Sequence, residues 1–137
     1  MKRVLVIDDE KSFGDMVGVF LRKEGYEPIC FTNASVALEH LKTHAVDVVL
    51  CDIQMPKMSG LEFLQQLKDQ ELTANVVMMS AYGTLEVAVS CMKLGAYDFI
   101  AKPFQGDELR LVLDKLSERD GLRRENKRLR KELRSEQ

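Results

Sequence analysis

A chain of 137 residues is long enough for one ordinary domain with a real core, and 45% hydrophobic residues make it globular rather than disordered. No apolar run approaches the ~18 residues of a membrane span, and residues 1–10 lack the small-residue cleavage site of a signal peptide. Three cysteines at scattered spacings, Cys30, Cys51 and Cys91, fit reduced thiols in a cytoplasm rather than a disulfide framework or a zinc site. The net charge of −2 hides an asymmetry. Residues 1–118 carry 12 Lys+Arg against 18 Asp+Glu, and residues 119–137 carry 8 against 4, so a boundary is placed near residue 119.

The elements follow in order. Val4-Leu5-Val6-Ile7 is a continuous apolar run, the mark of a strand buried on both faces, and it ends in Asp8-Asp9-Glu10. Ser12 to Glu24 carries apolar residues at 13, 16, 17, 20 and 21, a helical stripe stopped by Gly25. Glu27 to Phe31 reads as a short strand. Asn33 can cap a helix running to about Thr43. Val46 to Cys51 is a third strand, with Asp52 just past its end. Ser59 can cap a helix holding Leu61, Phe63, Leu64 and Leu67. Asn75 to Ser80 is a fourth strand, Leu85 to Leu94 a helix closed by Gly95, and Asp98 to Ala101 a fifth strand followed by Lys102-Pro103. Gly106-Asp107 opens a last helix with Leu109, Val112, Leu113 and Leu116. Five strand–helix units in strict alternation imply a parallel sheet with right-handed crossovers, and five suit an open doubly wound α/β sheet better than an eight-stranded barrel.

In such a sheet ligands bind at the carboxyl ends of the strands. The residues there are Asp8, Asp9, Asp52, Ser80 and Lys102. Three carboxylates brought close repel one another unless a cation sits among them. Magnesium suits the set, because it takes one or two carboxylates plus phosphate oxygens and keeps several waters. A lysine and a hydroxyl opposite would hold the other oxygens of a phosphoryl group, and a carboxylate can itself be the nucleophile. The alternative is a set of loop acids and a surface lysine, but four such coincidences at successive strand ends are improbable.

With these residues in view, the chain resembles a response-regulator receiver domain, the phosphoacceptor half of a bacterial two-component system. The motifs are Val4-Leu5-Val6-Ile7-Asp8-Asp9-Glu10, Asp52-Ile53-Gln54-Met55-Pro56 with Ser59-Gly60, Met79-Ser80-Ala81-Tyr82-Gly83, and Gly95-Ala96-Tyr97-Asp98-Phe99-Ile100-Ala101-Lys102-Pro103-Phe104. They cover residues 1 to about 118. The resemblance implies a flavodoxin-like sheet in the order 2-1-3-4-5, followed by a helical extension. It implies that Asp52 accepts a phosphoryl group from a histidine kinase. Asp9, Asp52 and the Gln54 backbone carbonyl would bind Mg2+, with Asp8 acting through a water. Ser80 and Lys102 would contact the phosphoryl oxygens, and the Lys102-Pro103 bond would be cis. Gln54 and Tyr82 would flank the path of a hydrolytic water and tune phosphoryl lifetime. Ser80 would move toward the phosphoryl group and Phe99 would turn into the space it leaves, reshaping the face of the fourth helix, fifth strand and fifth helix. Taken alone, Phe99 also reads as a plain core aromatic. The implied role is signalling: no enzyme beyond the domain's own phosphoryl transfer and autodephosphorylation.

From Arg119 the chain is charged with sparse leucines. Leu122, Asn126, Leu129 and Leu133, spaced 4, 3 and 4, fit d, a, d, a positions of a heptad, with Asn126 at an a position where a buried asparagine can set register. The seam spans about two heptads, short of roughly three to four, and Gly121 weakens it. A solvent-exposed helix is the other reading. Nucleic-acid binding by the tail's basic residues is a weaker one, since no DNA-binding unit is recognisable. A receiver followed by such a linker resembles the start of transcription activators of the nitrogen-regulatory type, in which a sigma-54-directed ATPase domain and a DNA-binding domain follow. In that setting the linker, with the face of the fourth helix, fifth strand and fifth helix, pairs two receivers.

Two other classes stay open. A phosphatase with an aspartate nucleophile usually carries Asp-x-Asp after its first strand, whereas here the acids are adjacent. A phosphorylation-independent interaction module of the same fold is opposed by the intact set of acids, Ser80 and Lys102. No G-x-G-x-x-G or P-loop supports nucleotide binding. His40 and His44, four apart, read as surface histidines rather than metal ligands, and Cys51 as buried and inert.

Overall fold

The structure, a computed structural model, describes residues 2–135; the last two residues of the expected extension 119–137 lie outside them. The chain divides into two compact units, residues 1–103 and 104–137.

The first unit is an α/β sheet domain: β1 (Arg3–Ile7), α1 (Lys11–Lys23), β2 (Glu27–Phe31), α2 (Ala34–Thr43), β3 (Val48–Asp52), α3 (Gly60–Asp69), β4 (Val76–Ser80), α4 (Leu85–Lys93) and β5 (Asp98–Ala101). The five strands are parallel in the order β2-β1-β3-β4-β5. This is the expected doubly wound, flavodoxin-like arrangement. β1, β3 and β4 are the inner strands, and their apolar runs are sealed: Val4 to Ile7, Val49 to Cys51 and Val77 to Met79 are wholly buried. Continuous apolar sequence and burial on both faces are the same fact seen twice. One core cluster joins Leu5, Ile7, Val49, Cys51 and Met78 of the sheet to Ala37, Phe63 and Leu67 of α2 and α3.

The helix ends match the sequence signals. Asn33 Oδ1 accepts hydrogen bonds from the Ser35 and Val36 amides, and Ser59 Oγ accepts one from Glu62 N at 3.2 Å. Gly25 and Gly95, at φ +89° and +97°, end α1 and α4 in the left-handed region that a Cβ disfavours. Two details differ from expectation. The inward face of α1 is Gly14, Val17, Gly18 and Leu21, whereas Met16 of the apolar stripe points to solvent. Asp52 is not past the end of β3 but is its last ladder residue, paired with Met79.

In the second unit a single helix, α5 (Gly106–Ser135), runs without a break through residue 119 and through Gly121. Leu109, Val112, Leu113 and Leu116 are buried. From Gly121 to Leu133 every residue is exposed. Ion pairs along the helix, Arg110–Asp107 at 3.0 Å and Arg128–Glu125 at 2.6 Å, are surface pairs that stabilise it by only a few tenths of a kcal/mol each. Among the described residues no helix is long and apolar enough to cross a membrane.

Candidate functional site: an acidic cleft at the carboxyl edge of the sheet

Register brings the site together. Ile7 pairs with Cys51, so Asp8 leaves β1 level with Asp52 on the neighbouring strand. Asp52 pairs with Met79, which puts Ser80 one step further along β4. Ser80 pairs with Ala101, so Lys102 leaves β5 one step further again. The Ile53 amide bonds to the Met79 carbonyl at 2.9 Å, and the Lys102 amide to the Ser80 carbonyl at 2.8 Å, extending the ladder past the strand ends. Adjacent strands lie about 4.8 Å apart, so residues close to level across them place their side chains within ionic reach.

Oxygens of Asp8, Asp9 and Asp52 lie within 4.8 Å of one another. Asp8 and Asp52 are buried, and Asp9 is exposed at the rim. The Lys102 ammonium, on a side chain only 13% exposed, donates to Asp8 Oδ2 at 2.6 Å and lies 3.4 Å from Asp52 Oδ2. Its other neighbour is an aromatic ring: Nζ stands 4.2 Å from the centroid of Phe13. Asp8 Oδ1 accepts the Glu10 amide at 2.9 Å, fixing the turn into α1. Ser80 Oγ accepts the Tyr82 amide at 3.0 Å. The Lys102-Pro103 peptide is cis.

Burial pushes the Asp52 carboxyl above its ordinary value; Lys102 opposes this, Asp8 adds to it, and the Gln54 amide opposes it weakly. For Lys102 burial acts downward, but the hydrogen bond to Asp8 and the charges of Asp52 and Asp8 outweigh it and raise the net value. Each therefore reports the same arrangement: a buried anion cluster compensated by one ammonium.

Asp9, Glu10, Phe13, Asp52, Gln54, Ala81, Tyr82, Lys102 and Pro103 line a cleft of about 430 Å³. Of the residues expected to tune lifetime, Gln54 and Tyr82 stand at its mouth, both exposed. Phe99 is not in the lining. It is half-buried against the core, beside Gly83, where a Cβ would stand 3.4 Å from its ring. Leu122, Asn126, Leu129 and Leu133 lie together on one exposed face of α5.

Two contributors escaped the sequence reading. In the sequence Phe13 reads only as part of a helical stripe; its place four residues after Asp9, in the first turn of a helix leaving the acidic edge, is the available signal. Gly60 reads in the sequence only as part of a motif. Its amide bonds to the Ile53 carbonyl at 2.7 Å, and a Cβ there would stand 2.4 Å from the Asp52 carbonyl oxygen. The β3–α3 connection closes through a γ-turn at Lys57, φ +69°, with Met58 N bonded to Pro56 O at 2.9 Å. One expectation needs correcting. His40 is not a simple surface histidine: it is half-buried, stacked on His44 at 4.2 Å and tilted on Phe31 at 5.3 Å, with Nε2 sealed from solvent.

With this geometry established, comparison with known proteins defines the class. The model of the response regulator receiver domain matches residues 4–114, and the chain belongs to that family. It is 33% identical over 129 residues to the regulatory protein AtoC of Escherichia coli K12, covering 94% of this chain and 28% of that protein. It is 36% identical to the nitrogen assimilation regulatory protein NtrX of Azorhizobium caulinodans, over 92% of this chain and 28% of the relative. Among solved structures, NtrX from Brucella abortus superposes with a TM-score of 0.83 at 39% identity, over 93% of this chain and 30% of that one. The chain therefore spans less than a third of the length of these relatives.

Proposed function

We propose that this domain is a phosphoacceptor switch in which Asp52 takes a phosphoryl group from the phosphohistidine of a partner kinase. The observation that carries the reading is the convergence of the Asp8, Asp9 and Asp52 carboxylate oxygens within 4.8 Å, with the Lys102 ammonium beside Asp8 and Asp52. A carboxylate oxygen of Asp52 attacks phosphorus, the N–P bond breaks, and its electron pair stays on the imidazole nitrogen, which takes up a proton. The product is an acyl phosphate. Lys102, freed from its bond to Asp8, follows the charge onto a phosphoryl oxygen, and the Ser80 hydroxyl donates to another.

The donor set fits a hard divalent cation. Two buried carboxylates and one at the rim, all oxygen ligands with open cleft beside them, match what Mg2+ takes. Asp9, Asp52 and the Gln54 carbonyl would hold it directly and Asp8 through a water. When bound, Mg2+ supplies positive charge to the oxygens of the transferring phosphoryl group. Gln54 and Tyr82 at the mouth govern how easily water reaches the acyl phosphate, and so its lifetime. The domain catalyses only its own phosphorylation and dephosphorylation.

Ser80 and Phe99 form the internal switch. The response is homodimerisation: the tail offers the exposed seam of Leu122, Leu129 and Leu133, and α4 separately offers exposed Leu85, Val89 and Met92. In the cytoplasm the switch governs a transcription-activating output domain of the kind expected in relatives several times longer than this chain. Intact mass after incubation with acetyl phosphate tests the reading. A Mg2+-dependent gain of one phosphoryl group, absent in Asp52→Ala, is expected; no gain in a folded, Mg2+-binding protein would favour a phosphorylation-independent interaction module.

A further inference from the structure

We infer that Phe13 is a positioning residue for phosphoryl transfer, an aromatic backstop that keeps the Lys102 ammonium directed at Asp52; this rests on the phosphoacceptor reading of Asp52. Lysine carries its charge on a flexible four-carbon stem and has three donors in tetrahedral array. Here the acceptors account for one side of the ammonium: Asp8 at 2.6 Å and Asp52 at 3.4 Å. The ring of Phe13 covers another side, with Nζ 4.2 Å from its centroid, well inside cation–π range. The side chain is nearly out of water, where this attraction is strongest.

The ring's chemistry suits the task. During transfer Lys102 must leave Asp8 and follow the charge that develops beyond Asp52. A carboxylate, or a hydroxyl on a short aliphatic side chain, at position 13 would compete for the ammonium. An aliphatic side chain would leave its third side without attraction and let the stem swing. A phenyl face attracts the cation without accepting one of its directed hydrogen bonds, so it restrains the ammonium and leaves the donors free to change partners. Phe13 is held for this by the first turn of α1, whose start is fixed by the Glu10 amide bonding to Asp8 Oδ1. Thus the acid that pairs with Lys102 also helps place the ring that backs it.

The test compares wild type with Phe13→Leu, Phe13→Met and Phe13→Tyr. Each is assayed for phosphorylation by saturating acetyl phosphate and Mg2+, for Mg2+ affinity by calorimetry, and for the NMR shifts of the Lys102 ε-methylene protons. Stacking over the ring should move those protons upfield in wild type and Phe13→Tyr and not in the aliphatic variants. The phosphorylation rate constant should fall about tenfold in Phe13→Leu and Phe13→Met, with Mg2+ affinity within about twofold, and recover in Phe13→Tyr. Normal phosphorylation in wild type and both aliphatic variants would overturn the inference alone, as would an equal loss in Phe13→Tyr or the absence of a ring-current shift in wild type. A wild-type protein that is never phosphorylated, yet shows the ring-current shift, would overturn the phosphoacceptor reading and this inference with it.

Discussion

Lys102 bonds to Asp8, at 2.6 Å, more closely than to Asp52, at 3.4 Å, although Asp52 is the residue assigned the chemistry. The lysine thus compensates the most deeply buried acid of the cluster and stands beside Asp52, the proposed nucleophile, without being locked to it. Removing it leaves a buried carboxylate cluster uncompensated, which typically costs about 3–5 kcal/mol. Lys102→Ala is expected to lower unfolding free energy by about 3 kcal/mol in metal-free buffer. Saturating Mg2+ should restore much of this, since a cation that binds only the folded state stabilises it. Phosphorylation should remain impaired. Urea titrations with and without Mg2+ check this; a variant as stable as wild type without metal would show that the pair contributes nothing.

Gly60 makes a sharper steric prediction. A Cβ at this position would stand 2.4 Å from the Asp52 carbonyl oxygen and 2.7 Å from the Ile53 Cα, both backbone atoms that cannot step aside. Gly60→Ala should destabilise the domain by about 3 kcal/mol, the upper range of overpacking. It should also weaken Mg2+ binding, because the strand end that carries Asp52 and leads to Gln54 must shift. Calorimetric Mg2+ titration of the variant, at a temperature where circular dichroism shows it folded, measures the second effect. Unchanged affinity would separate the glycine from the site.

His40 gives the pH prediction. Burial lowers its pKa, and the neighbouring charges of His44 and Arg3 lower it further. A depressed pKa means that the unfolded chain binds the proton more readily. The neutral ring's contribution to stability is therefore full above about 6.5, the ordinary histidine value, and is lost as pH falls through the lower folded value. Asp52, with its raised pKa, acts in the opposite sense, so the comparison must be made against a variant. The melting temperature of wild type should drop more steeply than that of His40→Phe between about pH 6.5 and 5, by less than one proton's linkage. Parallel slopes would remove His40 from the acid response.

The tail can be tested separately. Leu129 and Leu133 are 47% and 63% exposed on the single chain, on the same face as Leu122 and Asn126. Leu129→Asp with Leu133→Asp should give monomers by light scattering under conditions where wild type pairs, with phosphorylation by acetyl phosphate unchanged within about twofold. A persisting dimer would move the interface to the exposed α4 residues, Leu85, Val89 and Met92.

Much of this molecule was legible in its amino-acid order, because strands buried on both faces must be written as unbroken apolar runs. Val4 to Ile7, Val48 to Cys51 and Val76 to Met79 announced the inner strands, and the polar residue that broke each run marked the carboxyl edge: Asp8, Asp52, Ser80. Strict alternation with helices left a parallel sheet as the consistent topology. What the tertiary structure decided were relations among side chains far apart in the chain. Inter-strand register made Asp52 a ladder residue level with Asp8. Lys102 settled on Asp8, 94 residues away, and only the packing of the first turn of α1 put Phe13 behind it. The sealed ring of His40 and the space that excludes a Cβ at Gly60 are likewise matters of three-dimensional fit. Hydrophobic periodicity reports which face of an element is buried; it carries no information about which atoms meet there, because that depends on register and rotamer.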